Sequence, residues 1–230
     1  AAFVSEHQIS SSASSSIHVT SNAMLYGYKF QQNNVSWNSH SALYFEDVSR
    51  SSITNNTITG FESGIQMIKS TNLTVKENQL ADMGYCGIHV AYGSSIDVMC
   101  NTINMEDDYR TTALGIYYIV AEREDQRVRF SGNCVFEAST SILVEGSPGA
   151  CAALPLISNN FLYNYTEFGV DGRYVQGNIG TGGSAASGGR NTFASNNTGL
   201  GAIDIRAISC PINTDGNFGV LSTSGPVTVG

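Results

Sequence analysis

Apolar and polar residues alternate in short runs along this chain, as in Ile65-Gln66-Met67, Leu73-Thr74-Val75 and Ile88-His89-Val90. A period of two is the pattern of a strand with one buried face. The runs recur in phase with two markers. The first is an asparagine with an apolar residue two places on, at Asn33, Asn56, Asn78, Asn101, Asn133, Asn160 and Asn191, with a shortened copy at Asn217-Phe218. The second is a small residue followed by an apolar one, at Ser41-Ala42-Leu43, Gly64-Ile65, Gly87-Ile88, Gly115-Ile116, Ser141-Ile142, Gly169-Val170 and Gly201-Ala202-Ile203. The asparagines are spaced by 23, 22, 23, 32, 27, 31 and 26 residues. A period in that range marks a solenoid in which each repeat is one coil.

Each coil therefore reads as strand, turn, strand, Asn-containing turn, strand and a Gly or Ser bend. Glycine is expected at the bend for its tolerance of positive φ. Asparagine is expected at the turn because its amide satisfies loop backbone and it accepts the left-handed region. Stacked coils would bring these asparagines into a hydrogen-bonded ladder. Registered on the second marker, Leu43, Ile65, Ile88, Ile116, Ile142 and Val170 stack inside. The next residues, Tyr44, Gln66, His89, Tyr117, Leu143 and Asp171, then form an outward file. With strands about 4.8 Å apart such a file is nearly flat. Tyr44, Gln66, His89, Tyr117 and Asp171 are the carbohydrate-binding candidates, the rings supporting sugars while polar tips hydrogen-bond. The other expectation is that outward aromatics pack against long insertions.

Two successive copies, Ser52-Ile53-Thr54-Asn55-Asn56-Thr57-Ile58 with Gly64-Ile65, and Asn72-Leu73-Thr74-Val75-Lys76-Glu77-Asn78, are followed by Ser95-Ile96-Asp97-Val98-Met99-Cys100-Asn101-Thr102-Ile103. This text resembles the right-handed parallel β-helix of the pectin-lyase-like superfamily, over about residues 30 to 220. The resemblance implies an all-β, single-stranded solenoid of about eight coils of 22–32 residues. The later Gly189-Arg190-Asn191-Thr192-Phe193 and Gly201-Ala202-Ile203-Asp204-Ile205 are similar to β-helix segments of large secreted bacterial surface proteins. Residues 31–219 form the expected β-helix, 1–30 a Ser-rich N-terminal segment or first coil, and 220–230 a C-terminal tail.

Charged residues make up 13% of the chain and the formal charge is −8. No basic stripe is available for nucleic acid or an anionic membrane, and no apolar run reaches the roughly 20 residues of a membrane span. The opening Ala1-Ala2-Phe3 has no signal peptide, so the chain reads as a processed or excised piece. Its five cysteines, Cys86, Cys100, Cys134, Cys151 and Cys210, lack CxxC spacing and nearby histidines, so no metal site is expected. Buried thiols and one or two disulfides remain open, with Cys100 and Cys134 placed close by the repeat. Asn34, Asn55, Asn72, Asn164 and Asn196 head Asn-x-Ser/Thr triplets. These triplets are glycan acceptors in a eukaryotic source, or chance in an Asn- and Thr-rich chain.

Many relatives with this fold cleave acidic polysaccharides, and glycosidases need two carboxylates across a cleft. Asn213-Thr214-Asp215-Gly216 resembles the first polygalacturonase motif, but only 14 residues follow and the later motifs are missing. Glu106-Asp107-Asp108 falls in a long insert and reads as a solvated acidic loop, while Glu122-Arg123-Glu124-Asp125 with Arg127 and Arg129 forms a second charged insert whose mixed signs suggest surface ion pairs. The expected function is an extracellular or cell-surface structural or adhesive domain, a stalk or glycan-binding surface, without a cofactor. The partner is a polysaccharide or cell-surface glycan. No cap is evident at either end, so the chain is a segment of a longer protein or stacks end to end. The alternative is a polysaccharide lyase or glycoside hydrolase acting on acidic polysaccharides, with calcium only in the lyase case.

Overall fold

A computed structural model describes residues 8–10, 18–20, 23–25, 41–105, 113–120, 127–179, 190–194, 202–214, 216–217, 219–220 and 222–228. The strands wind as a parallel β-helix, every pairing being parallel and between successive coils. The wide sheet takes Ser41–Glu46, Ser63–Ile68, Cys86–Ala91, Leu114–Ile119, Thr140–Glu145, Phe168–Arg173 and Ile203–Ile208. A second sheet takes Ser49–Thr54, Thr71–Lys76, Ser94–Met99, Val128–Ser131 and Leu156–Ser158. Three-residue strands such as Thr57–Thr59, Gln79–Ala81 and Thr102–Asn104 build the third. A fourth sheet of Ala152–Ala153, Val175–Asn178, Ile212–Asn213 and Val227–Thr228 takes over that leg once the second sheet ends at Leu156–Ser158. Strands Gln8–Ser10, His18–Thr20 and Ala23–Leu25 join the first three sheets, so the helix runs beyond 31–219 on both sides.

The inner column is the one the alternation predicts. Leu43, Ile65, Ile88, Ile116, Ile142 and Val170 pair in register and are 0–1% exposed. Each such side chain contributes roughly 1.5–3 kcal/mol of burial. The column continues at Ile205, two residues beyond the Ile203 that the last marker suggested.

The asparagine ladder is continuous from Asn56 through Asn78, Asn101, Asn133, Asn160 and Asn191 to Asn217. Each Nδ2 donates to the Oδ1 of the next at 2.7–3.0 Å. Asn33 lies outside the described residues. Each ladder amide from Asn78 on also reaches back to a backbone carbonyl of the preceding coil, as Asn101 does to Val75. The left-handed conformation belongs to the residue before each ladder position: Asn55, Glu77, Cys100, Gly132, Asn159 and Arg190 have φ of 50–66°. The ladder asparagine is thus selected for its amide and not for φ.

The bend glycines correct a second expectation. Gly64, Gly87, Gly115 and Gly169 are not among the positive-φ residues. A Cβ on Gly87 would lie 2.5 Å from Ile103 Cγ2 and 2.7 Å from the Gly115 carbonyl oxygen. Close approach to the next coil is what these positions require.

Candidate functional site on the wide sheet

The outer face of the wide sheet carries the predicted file. Strand pairing sets Tyr44, Gln66, His89, Tyr117, Leu143 and Asp171 side by side across six coils, and Arg206 follows Asp171. The file is closed, however, since its six members are only 0–8% exposed. Tyr117 and Leu143 join Cys86 and Leu114 in a second apolar cluster, with Tyr85 and Ile119 packed against it. At the middle of the file these apolar neighbours pack against rings that were expected to stand open.

His89 stacks flat on Tyr117, with ring centroids 4.8 Å apart and planes 7° from parallel. Both imidazole nitrogens are buried without a hydrogen-bond partner. Burial lowers the His89 pKa to about 4, so the ring is neutral at pH 7. The Tyr117 hydroxyl donates to Glu145 at 2.7 Å. Burial first, and then this carboxylate, push the phenol well above its ordinary value. Burial likewise raises Tyr85 and the Cys86 thiol. Tyr44, raised by burial and then by Glu46, donates to that carboxylate at 3.2 Å.

Asp171 is fully buried and doubly neutralised. Arg173 Nε donates to it at 2.8 Å, and Arg206 forks onto both oxygens at 2.8 and 2.5 Å. The Arg206 guanidinium also lies 3.6 Å from the centre of the Phe168 ring. Side-on pairing of this kind is the strong form of charge-assisted hydrogen bond. Chemically, the face offers a neutral imidazole, protonated phenols and engaged carboxylates. Sequence reasoning missed Glu145, Arg173 and Arg206. Glu145 and Arg173 sit two places beyond file members, and Arg206 was hidden by the two-residue offset of the last marker.

Other expectations fall elsewhere. Cys151 and Cys210 form a disulfide with Cα atoms 5.8 Å apart. Cys86, Cys100 and Cys134 are free thiols, although Cys134 is raised by burial and then by Cys100 beside it. Asn55 and Asn72 are exposed and Asn164 half-buried, all three in left-handed turns. Asn34, Asn196, Asp215 and the acidic inserts 106–108 and 122–125 lie outside the described residues. Among those described, no three His, Cys, Asp or Glu gather as a metal site. No helix among them is long and apolar enough to cross a membrane.

A family model described as "right handed beta helix region" matches residues 1–162. No curated protein matches the chain. Among solved structures it is similar to a catalytic domain of GH87 alpha-1,3-glucanase in complex with nigerose, at 13% identity and TM-score 0.43. The match covers 97% of this chain and 55% of the glucanase domain, so the chain spans about half of that length. It is also similar to an alginate lyase from Paenibacillus sp. str. FPU-7, at 13% identity and TM-score 0.43, covering 93% of this chain and 89% of the lyase.

Proposed function

Because the chain belongs to the right-handed β-helix family, we propose that it is an extracellular structural or adhesive domain that binds glycans on its wide sheet. It works as part of, or by assembling into, a longer rod. The observation that carries this reading is the His89–Tyr117 stack, with two buried imidazole nitrogens left unpartnered at the middle of the file. A buried polar group without a partner costs about 1–3 kcal/mol. The file is closed in the free protein, so this reading requires the face to open; a ligand hydroxyl then removes that cost and the uncovered rings support the sugar. The Cys151–Cys210 disulfide supports an oxidising, extracellular setting. A glycan array probed with the wild type and with His89→Phe tests the reading. Wild-type binding that falls at least tenfold in the variant is expected, and an array on which the two behave alike refutes it.

A second reading is a polysaccharide lyase. The neutral imidazole would take a proton, and Tyr117, whose hydroxyl is held by Glu145, would give one. Incubation with uronic-acid polymers, followed for new unsaturated or reducing ends, decides it.

A further inference from the structure

The second sheet has an outer face of a different kind. Thr74, Asp97, Arg129 and Leu156 pair side by side there across four coils. Each stands four places before a ladder asparagine. Asn72, Ser95 and Arg127 form a parallel row two residues earlier on the same side. Together they line an open groove of about 800 Å³, within the range of roughly 300–1,000 Å³ usual for ligand sites.

The groove is polar, and only two of its described polar side chains are paired with each other. Arg129 Nε pairs with Asp97 Oδ1 at 3.0 Å. Among the described residues, the side chains of Asn72, Thr74, Ser95 and Arg127 make no hydrogen bond or ion pair. Among the described lining residues, two arginines against one aspartate leave one net positive charge, on a chain whose formal charge is −8. A dense polyanion is repelled by the rest of such a chain. A ligand with an occasional carboxylate among many hydroxyls is not. Leu156, half-buried at one side, gives an apolar wall for the carbon face of a ring, and the donors recur at the strand spacing of about 4.8 Å.

We propose that this groove binds an acidic oligosaccharide. Arg127 forks onto a uronate carboxylate, and Asn72, Thr74 and Ser95 bond its hydroxyls. The site is separate from the wide-sheet face and does not depend on it. Asn72 heads the triplet Asn72-Leu73-Thr74, so the protein is best produced without N-glycosylation.

Isothermal titration with an oligosaccharide carrying a single uronate among neutral sugars, and with its methyl ester, tests the proposal. Wild type is expected to bind the acid at least tenfold more tightly than the ester. Arg127→Ala should lose at least tenfold, Arg127→Lys should recover part of the loss, and Lys76→Ala should match wild type. Lys76 carries the same charge on the same sheet but pairs with Glu77. No binding by wild type, equal affinity for acid and ester, or equal losses in the Arg127→Ala and Lys76→Ala variants would overturn it. Binding lost with His89→Phe and kept with Arg127→Ala would overturn it too, while leaving the wide-sheet reading intact.

Discussion

The amide of Asn101 donates to Asn133 Oδ1 at 3.0 Å across 32 residues of chain. The same amide donates to the Val75 carbonyl at 3.0 Å, and its Oδ1 accepts both from the Asn78 backbone N–H at 3.0 Å and from the Asn78 amide at 2.9 Å. One side chain therefore ties three coils.

Asn101→Ala removes all of these bonds and strands buried partners on both sides. Each orphaned group costs about 1–3 kcal/mol, so a loss of at least about 3 kcal/mol is expected in denaturant unfolding. Asn101→Asp keeps the acceptor and loses the amide donor, and should be nearly as damaging at neutral pH. A variant within 1 kcal/mol of wild type would show that the ladder is decorative.

The Cys151–Cys210 disulfide closes 59 residues of chain. It links the residue just before Ala152–Ala153 of the fourth sheet to the stretch just before Ile212. In the chain-entropy account a loop of that size is worth about 4 kcal/mol. The double variant Cys151→Ser and Cys210→Ser, or reduced wild type, should lose about 2–4 kcal/mol, read as a fall in Tm. Unchanged Tm after reduction would mean that the bond is not formed in solution.

His89 gives the fold an acid weakness. Burial holds its folded pKa at about 4, against an ordinary 6.5. Above pH 6.5 both folded and unfolded states carry a neutral ring, and stability is at its plateau. As pH falls from about 6.5 towards 4 the unfolded chain gains a proton that the folded one refuses, so stability drops. The loss approaches about 3 kcal/mol and levels off below about pH 4. His89→Phe keeps the ring and removes the titration. Unfolding midpoints measured at pH 7 and pH 4 should therefore converge in the variant relative to wild type. Parallel pH profiles would place the sensitivity elsewhere.

The Tyr117→Ala substitution, attractive when the ring is thought to stand open, is a poor probe of binding. Tyr117 is 7% exposed and sits within the outer apolar cluster, so its removal leaves a cavity, typically at a cost of 3–5 kcal/mol.

The periodic parts of the molecule were legible because they obey one repeat. Two markers sufficed to place Ile65, Ile88 and Ile116 in one column and to phase seven ladder asparagines. Register also set His89 beside Tyr117. It does not report how deep a face lies, since Tyr85 and Ile119, which pack beside the file, are fixed by tertiary neighbours. The Cys151–Cys210 pair crosses from the fifth wide-sheet coil to the seventh, where the second leg changes sheet, and no local signal carries that switch. The paired Asp97 and Arg129 were within reach, because counting four residues back from Asn101 and Asn133 aligns them.

Ladder asparagines lie anywhere from 22 to 32 residues apart along the chain, yet the amide-to-oxygen distance stays between 2.7 and 3.0 Å throughout. Extra length between ladder positions thus leaves the ladder spacing unchanged. The ladder works like a row of fixed brackets: the chain length between one bracket and the next can change while the brackets hold their places. New surface chemistry is then acquired at little thermodynamic risk to the scaffold.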